Sequence, residues 1–247
     1  MTRYGLIGYP LTHSFSQRYF TEKFIRENIA DCRYDLFELP DIHELPNLFN
    51  LPGLRGLNVT IPHKQAVLPY LTRLDTSAEK IGAVNVIKFE ADGSRTGYNS
   101  DYYGFRQSLA DWLVALGRTA EGLQALVLGT GGASKAVTVA LTDTGITYKY
   151  VSRTKTESTF AYEDLQDVII DYQLIINCSP IGTYPHTDAA PAIPYPLLTD
   201  KHLLYDLVYN PAETKFMQLG HERGASTQNG LRMLELQADK AWDIWQQ

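Results

Sequence analysis

Cysteine is scarce in this chain of 247 residues, which contains only Cys32 and Cys178. The two form no CxxC pair and have no histidine nearby at the spacing of metal ligands. Neither a disulfide framework nor a zinc site is therefore indicated, and we expect two buried free thiols. The six histidines are scattered without an HxxxH or HxH pair. We therefore expect no bound metal.

Long apolar runs and basic tracts are also missing. No stretch approaches the roughly 18 apolar residues of a membrane helix, and residues 1–8 contain no apolar segment long enough for a signal peptide. The 22 basic and 28 acidic residues give a net charge of −6, without a tract that could bind a phosphate backbone. We therefore expect a cytoplasmic protein with neither membrane nor nucleic acid as a partner. The expected oligomeric state is a monomer or a homodimer, although the sequence does not fix it.

What the sequence does contain is typical of a globular protein with two modest domains. Hydrophobic residues make up 44% and charged residues 20% of the chain. Strand-like segments at 3–8, 34–39, 56–61 and 84–90 alternate with helix-like segments at 16–28 and 62–71. This alternation predicts an α/β fold. The turn sequence Asp92-Gly93-Ser94 predicts a hairpin, so the first sheet is expected to be mixed.

The second half of the chain has the pattern of a βαβ unit. A helix is predicted over 101–116, followed by a strand at 123–128, a glycine turn, a helix at 135–144 and a strand at 148–152. Buried strands are predicted at 174–177 and 203–208. The five prolines of 180–196 predict a loop, and 230–245 predicts an amphipathic helix.

The glycine turn Gly129-Thr130-Gly131-Gly132-Ala133-Ser134 stands between a strand and a helix, the context of a dinucleotide site. Glycines let backbone amides approach a pyrophosphate, and the helix N-terminus favours its charge. The next strand ends in Arg153 and Thr154 instead of the acidic residue that would bind the ribose of NAD. A guanidinium suits the 2′-phosphate of NADP, although the nearby Glu157 would repel it if it faced the same way.

Lys64 and Asp101 are candidates for a proton-transfer pair. Each alone is more often ordinary, as a surface lysine and a helix N-cap. Their order along the chain, ahead of a dinucleotide-type turn, favours the functional interpretation. A lysine ammonium can stabilise and protonate the alkoxide that forms when hydride adds to a carbonyl.

With these motifs in place, the chain resembles the shikimate dehydrogenase family along nearly its whole length. The shared segments, in the family's order, are Gly8-Tyr9-Pro10, His13-Ser14-Phe15-Ser16, Asn58-Val59-Thr60-Ile61-Pro62-His63-Lys64, Gly82-Ala83-Val84-Asn85, Asn99-Ser100-Asp101, Gly129 to Ser134, Asn177-Cys178-Ser179-Pro180 and Gly230 to Gln237. The resemblance implies NADPH-dependent reduction of 3-dehydroshikimate in the shikimate pathway. It also implies a substrate domain of mixed sheet, 1–101 with 230–247, and a Rossmann-type NADP domain, 102–229, separated by a cleft.

The resemblance also implies roles for individual residues. Lys64 and Asp101 match the catalytic pair, and Ser14 and Ser16 match the hydroxyls that hold the substrate carboxylate. The remaining substrate-binding matches are Thr60, Asn85, Tyr209 and Gln237, with Asp101 contributing to the ring hydroxyls. The cofactor-binding matches are Gly129, Gly131, Gly132, Ala133, Ser134, Arg153, Thr154, Leu207, Gly230 and Met233.

Three other functions stay open. Phe15 and Gln17 replace a lysine and a proline that are common in the family, which leaves room for a quinate or quinate/shikimate dehydrogenase that uses NAD. A catalytically silent relative that binds a nucleotide or metabolite is a second alternative. A methylenetetrahydrofolate dehydrogenase is the third, although the two serines and the Asn99-Ser100-Asp101 segment suit a cyclohexene acid better than a pterin.

Overall fold

The computed structural model describes residues 1–11 and 14–247. Within it the chain divides into two compact units. The first unit comprises Met1–Tyr103 and Gln237–Gln247, and the second comprises Gly104–Leu236. Residues 102–103 and 230–236 thus fall in the other unit from the one expected from sequence. The assignment of substrate binding to one domain and NADP binding to the other stays a prediction.

The first unit contains a six-stranded sheet with the strand order β2-β1-β3-β5-β6-β4. Its strands are β1 (Thr2–Gly8), β2 (Cys32–Glu38), β3 (Leu54–Val59), β4 (Arg73–Leu74), β5 (Val86–Phe89) and β6 (Arg95–Tyr98). Strand β1 runs parallel to β2 and β3, whereas β5 is antiparallel to both β3 and β6. The predicted hairpin and the mixed sheet are therefore confirmed.

Successive residues of these strands contribute to two separate hydrophobic cores. Leu6 and Val86 belong to an aromatic core with Phe20 and Trp245, supplied by helices α1 (Phe15–Arg26) and α8 (Leu231–Gln246). Ile7 and Ile87, their neighbours in the chain, belong to the core on the opposite face of the sheet. The Trp245 indole donates to the carbonyl of Ile87 at 3.0 Å. The C-terminal half of α8 is thereby fixed to the middle of the sheet.

Three further helices begin in the first unit: α2 (Leu45–Leu48), α3 (Thr76–Ile81) and α4 (Ser100–Ala115). The prediction of a helix over 62–71 is wrong. That segment consists of turns with one 3₁₀ turn, Leu68–Tyr70. Pro69 lacks the N–H that a helix interior needs, and the Lys64 carbonyl accepts from the Val84 N–H at 2.8 Å instead of continuing a helical ladder.

The second unit contains a six-stranded sheet in which all pairs are parallel, with the order β12-β11-β10-β7-β8-β9. Its strands are β7 (Gln124–Leu128), β8 (Thr147–Ser152), β9 (Thr159–Ala161), β10 (Leu174–Asn177), β11 (Leu203–Asp206) and β12 (Ser226–Gln228). The helices α5 (Gly132–Asp143), α6 (Leu165–Val168) and α7 (Lys215–His221) lie wholly within it. This order is that of a doubly wound dinucleotide-binding sheet, which confirms the Rossmann-type prediction.

The cysteines are free, but both are partly exposed instead of buried as predicted. Cys32 opens the edge strand β2, and Cys178 follows the last residue of β10. Both therefore lie at element ends, where fewer neighbours cover a side chain. Across residues 1–11 and 14–247, no helix has the length and apolarity needed to cross a membrane. The same residues contain no cluster of three His, Cys, Asp or Glu side chains that could hold a metal ion.

Candidate active site

Lys64 and Asp101 form an ion pair in the first unit, with Nζ 2.6 Å from Oδ2. The two side chains are only 22% and 14% exposed. Lys64 lies in the turn after β3. Asp101 lies in the first turn of α4, where Asn99 Oδ1 accepts from the Tyr102 N–H at 3.3 Å. A short charge-assisted contact with little solvent exposure orients the ammonium more firmly than a surface pair would.

Three buried polar side chains, Asn85, Ser100 and Gln237, are hydrogen-bonded to one another, and Ser100 directly precedes Asp101. The Ser100 N–H donates to Asn85 Oδ1 at 2.7 Å, and Asn85 Nδ2 donates to Ser100 Oγ at 3.0 Å. Ser100 Oγ in turn donates to Gln237 Oε1 at 3.3 Å. All three are less than 10% exposed. The structure thus brings together Asn85, predicted to bind substrate, and Gln237 through a serine for which no role was predicted.

The hydroxyl residues Ser14, Ser16 and Thr60 occupy ordinary structural positions at the ends of a helix and a strand. Ser14 caps α1 by accepting from the Gln17 N–H at 3.2 Å. Ser16 lies in the first turn of α1. Thr60 follows β3, and its N–H donates to Ile7 O at 2.9 Å. The three residues are partly exposed, which leaves them accessible to a ligand. The motif residue His13 lies outside the described residues.

Sequence reasoning assigned no role to two buried residues beneath this cluster, Tyr34 and Asn58. The Tyr34 hydroxyl donates to Asn58 Oδ1 at 2.6 Å, and Asn58 Nδ2 donates to the Asn85 carbonyl at 3.3 Å. Burial raises the pKa of the Tyr34 phenol far above its usual value, and the hydrogen bond with Ser16 opposes that shift. The two-residue period of a strand puts Asn58 on the same face as Thr60, a signal that could have found it. Tyr34 carried no comparable signal.

In the second unit, the glycine turn joins β7 to α5. Gly129 has a φ of +103°, a conformation that glycine adopts readily. Neither Gly131 nor Gly132 has a φ angle in the left-handed region. A Cβ at either position would meet no protein atom within 4 Å. Internal packing does not demand these two glycines. The space beside them, at the N-terminus of a 12-residue helix, fits a pyrophosphate.

Ser134 stabilises this turn from within. Ser134 is fully buried, and its hydroxyl donates to the Gly131 carbonyl at 2.7 Å. Its backbone N–H donates to the same carbonyl at 3.2 Å. Ser134 therefore shapes the turn, while Ala133 beside it is half-buried in the first turn of α5.

Arg153 and Thr154 directly follow β8, as predicted, and both are exposed. The neighbouring cation Lys155 pairs with Asp164, Nζ to Oδ1 2.7 Å, and this hydrogen bond lowers the pKa of the Asp164 carboxyl. Arg153 forms no ion pair within residues 1–11 and 14–247. Its guanidinium is thus available to an external anion.

The other predicted cofactor and substrate positions of the second unit lie around the end of β11. A Cβ on Gly230 would lie 2.1 Å from the Leu207 carbonyl oxygen, and the Gly230 N–H donates to Val208 O at 3.1 Å. Leu207 and Gly230 are therefore in close backbone contact, which only glycine permits. Tyr209 is 37% exposed, whereas Met233 is buried.

A buried carboxylate, Asp206, organises the loops after β10 and β11. It accepts from Thr214 Oγ1 at 2.6 Å, Asn177 Nδ2 at 2.9 Å and the Val208 N–H at 3.0 Å. Burial raises the pKa of Asp206 to about 6, and these three hydrogen bonds oppose the shift. Asn177 Oδ1 also accepts from the Ser179 hydroxyl at 2.6 Å. One carboxylate thus connects the segments 177–179 and 206–214.

Known proteins are similar to this chain in both sequence and fold. A family model described as the shikimate dehydrogenase substrate binding domain matches residues 6–87. A shikimate dehydrogenase (NADP(+)) from Methanosphaera stadtmanae is 34% identical over 261 residues, covering 98% of this chain and 90% of that protein.

Solved structures agree with that match. A shikimate 5-dehydrogenase from Thermus thermophilus, in complex with NADP(H) and shikimate, has a TM-score of 0.84 and 30% identity and covers 99% of this chain and 93% of its own. A quinate dehydrogenase from Corynebacterium glutamicum, in complex with NAD, has a TM-score of 0.87 and 26% identity. The match covers 99% of this chain and 93% of the quinate dehydrogenase chain.

Proposed function

This chain belongs to the shikimate dehydrogenase family, and on that premise we propose that Lys64 and Asp101 are the proton-transfer centre of its reaction. That reaction is the reversible NADPH-dependent reduction of 3-dehydroshikimate to shikimate, a step of aromatic amino acid biosynthesis. The observation that carries the proposal is the 2.6 Å contact between Lys64 Nζ and Asp101 Oδ2. It connects two residues whose only sequence relation is a separation of 37 positions.

Lys64 acts on the oxygen of the substrate's ketone. As that carbon is reduced, negative charge develops on the oxygen, and the lysine ammonium stabilises it and then donates a proton to it. In the reverse direction the neutral amine takes the proton from the hydroxyl. Asp101 keeps the ammonium aimed at this position and accepts from a neighbouring substrate hydroxyl.

The remaining polar residues hold the substrate in one orientation. Ser14 and Ser16 donate to its carboxylate, and Thr60 contacts the ring hydroxyls together with Asn85 and Gln237. A small polyhydroxylated acid needs several fixed donors and acceptors of this kind, because a ligand that lacks one hydroxyl leaves a buried group unpaired.

The second unit carries residues that fit NADP. The open space beside Gly131 and Gly132 accepts the pyrophosphate, and Arg153 with Thr154 contacts the 2′-phosphate. Leu207, Gly230 and Met233 are assigned to the nicotinamide end. When bound, NADPH supplies the hydride. The pairing of Lys155 with Asp164 leaves Arg153 as the cation that distinguishes NADP from NAD.

We also propose that the enzyme works in the cytoplasm as a monomer or homodimer. Light scattering on the purified protein tests the second part. The first part rests on the biosynthetic reaction of the family.

The experiment that tests the function measures initial rates of cofactor reduction with shikimate and with quinate, each paired with NADP and with NAD. We expect the highest kcat/KM for shikimate with NADP. Comparable rates with quinate or NAD would instead favour a quinate/shikimate dehydrogenase. The absence of turnover with all four pairs would refute the proposed activity.

A further inference from the structure

The turn that carries Lys64 follows β3 without forming a helix, so no helical ladder holds the lysine in place. Two hydrogen bonds to distant segments hold it instead. The Lys64 carbonyl accepts from the Val84 N–H at 2.8 Å. On the other side of Lys64, the ring of His63 lies with Nε2 2.6 Å from the Leu39 carbonyl oxygen. The backbone around Lys64 is therefore fixed both before and after the residue.

His63 is the donor in its contact with Leu39. A carbonyl oxygen can only accept a hydrogen bond, so Nε2 carries the hydrogen. Both the neutral Nε2–H tautomer and the imidazolium meet this requirement, and the bond is therefore independent of the charge on the ring. His63 is 3% exposed and Leu39 is 4% exposed. Because both residues are buried, water is poorly placed to replace the ring as the donor to this carbonyl.

The Leu39 carbonyl is a fixed acceptor because the backbone around it is bound to the sheet. Leu39 directly follows β2, and its N–H donates to the carbonyl of Gly8, the last residue of β1, at 3.0 Å. The Tyr9 N–H in turn donates to the Ile61 carbonyl at 3.1 Å, two residues before His63. The ends of three neighbouring parallel strands are thus joined in a closed set of contacts. The His63 ring supplies the link between the second and the third.

We propose that His63 is a positioning residue for Lys64: its bond to Leu39 sets the backbone position from which the ammonium reaches Asp101 and the substrate's ketone oxygen. This inference rests on the proposed function, in which Lys64 is the proton donor. A lysine side chain is long and flexible, so a fixed backbone limits the places that its ammonium can occupy. Proton transfer is sensitive to such placement, since a displacement of about 1 Å can cost roughly 10²-fold in rate.

His63→Gln and His63→Met test the proposal as a pair. Glutamine places an amide N–H close to the position of the histidine Nε2, whereas methionine has a similar length and no donor. We expect kcat with shikimate and NADP to fall roughly 10- to 100-fold in His63→Met and to stay within about threefold in His63→Gln. KM for NADP is expected to stay unchanged in both. Equal kcat values in the two variants would overturn the proposal.

His202→Met is the matched control for the loss of a buried histidine. His202 lies in the second unit and is 2% exposed, and its Nε2 is 3.4 Å from the Ile169 carbonyl oxygen. We expect His202→Met to lower the thermal stability, as His63→Met does, and to keep kcat within about twofold of the unaltered enzyme. A fall in kcat as large as that of His63→Met would contradict a specific link between His63 and Lys64.

A double-mutant cycle with Lys64→Ala identifies the residue through which His63 acts. If His63 acts through Lys64, His63→Met lowers kcat in the unaltered chain but leaves the residual kcat of Lys64→Ala unchanged. An equal factor in both backgrounds would overturn the proposal. Failure of the proposed function shows separately, because Lys64→Ala alone would then keep the turnover of the unaltered enzyme.

A measurement on the unaltered protein serves if His63→Met fails to fold. Two-bond ¹H–¹⁵N correlation spectra distinguish the two tautomers of a neutral histidine, and the ring resonances missing from His63→Gln identify those of His63. We expect the Nε2–H tautomer at alkaline pH, as donation to the Leu39 carbonyl requires. The Nδ1–H tautomer would overturn the proposal, since such a ring cannot donate from Nε2.

Discussion

Ser100 and Gln237 are 137 residues apart, yet Ser100 Oγ donates to Gln237 Oε1 at 3.3 Å. Ser100 Oγ also accepts a hydrogen bond from Asn85 Nδ2. One hydroxyl therefore connects the start of α4, the loop before β5 and the C-terminal helix. The last helix is therefore part of the candidate site as well as of the core. Its position depends on Trp245, whose indole bonds the sheet at Ile87 O.

Removing the Ser100 hydroxyl will weaken substrate binding. Ser100→Ala leaves Asn85 Nδ2 and Gln237 Oε1 each without one buried partner, and we expect KM for shikimate to rise roughly 5- to 20-fold. Ser108→Ala is the control: Ser108 lies on the same helix, is equally buried and bonds Tyr205 instead. Steady-state kinetics with saturating NADP measures both. Equal KM values in the two variants would exclude this role.

Asp206 will make the stability of the protein depend on pH. Its folded pKa of about 6 lies above the ordinary 3.8, so the folded chain holds this proton more tightly than the unfolded chain. The stabilisation is complete below about pH 3.8 and is lost as the pH rises through about 6. Between pH 4.5 and 7.5 the lost contribution is about 2 kcal/mol.

Asp206→Asn removes this titration and is the matched variant. Urea unfolding at intervals from pH 4.5 to 7.5 will show that the free energy of unfolding of the unaltered protein falls relative to that of Asp206→Asn. Parallel pH profiles for the two proteins would show that Asp206 does not titrate in this range.

Arg153 will determine the preference for NADP. Arg153→Ala removes a guanidinium that forms no ion pair in the part of the chain that the structure describes, and we expect KM for NADP to rise about 10- to 100-fold while KM for NAD hardly changes. Lys155→Ala, which removes a cation already paired with Asp164, is expected to change either value less than about threefold. A similar loss of affinity for both cofactors would argue against a 2′-phosphate contact.

The sequence predicted the parts of the fold that repeat a simple pattern. The strand β10 was placed at 174–177 without error, because a short, wholly apolar run between polar segments has one ready interpretation in a parallel sheet. The two-residue strand β4 and the short helix α3 were missed, since so few residues carry no period. The false helix at 62–71 arose because local spacing says nothing about the tertiary bond between Lys64 O and Val84 N.

The site was predictable only to the level of its motifs. Lys64 and Asp101 were candidates because their residue types and order fit a proton transfer. Ser100 and Tyr34 were not assigned roles, because a serine at a helix start and a tyrosine in a strand have common structural uses. Their importance comes from contacts between distant segments, which a single sequence does not display.

The most direct test of the Lys64 assignment compares Lys64→Ala with Lys88→Ala. Lys88 also lies in the first unit and pairs with a carboxylate, Glu90, at 2.9 Å, and both side chains are similarly buried at 15% and 21% exposure. We expect Lys64→Ala to lower kcat by roughly 10²–10⁴ with the calorimetric affinity for NADP unchanged, and Lys88→Ala to keep its kcat within about twofold. A Lys64→Ala enzyme with the turnover of the Lys88→Ala enzyme would contradict the assignment.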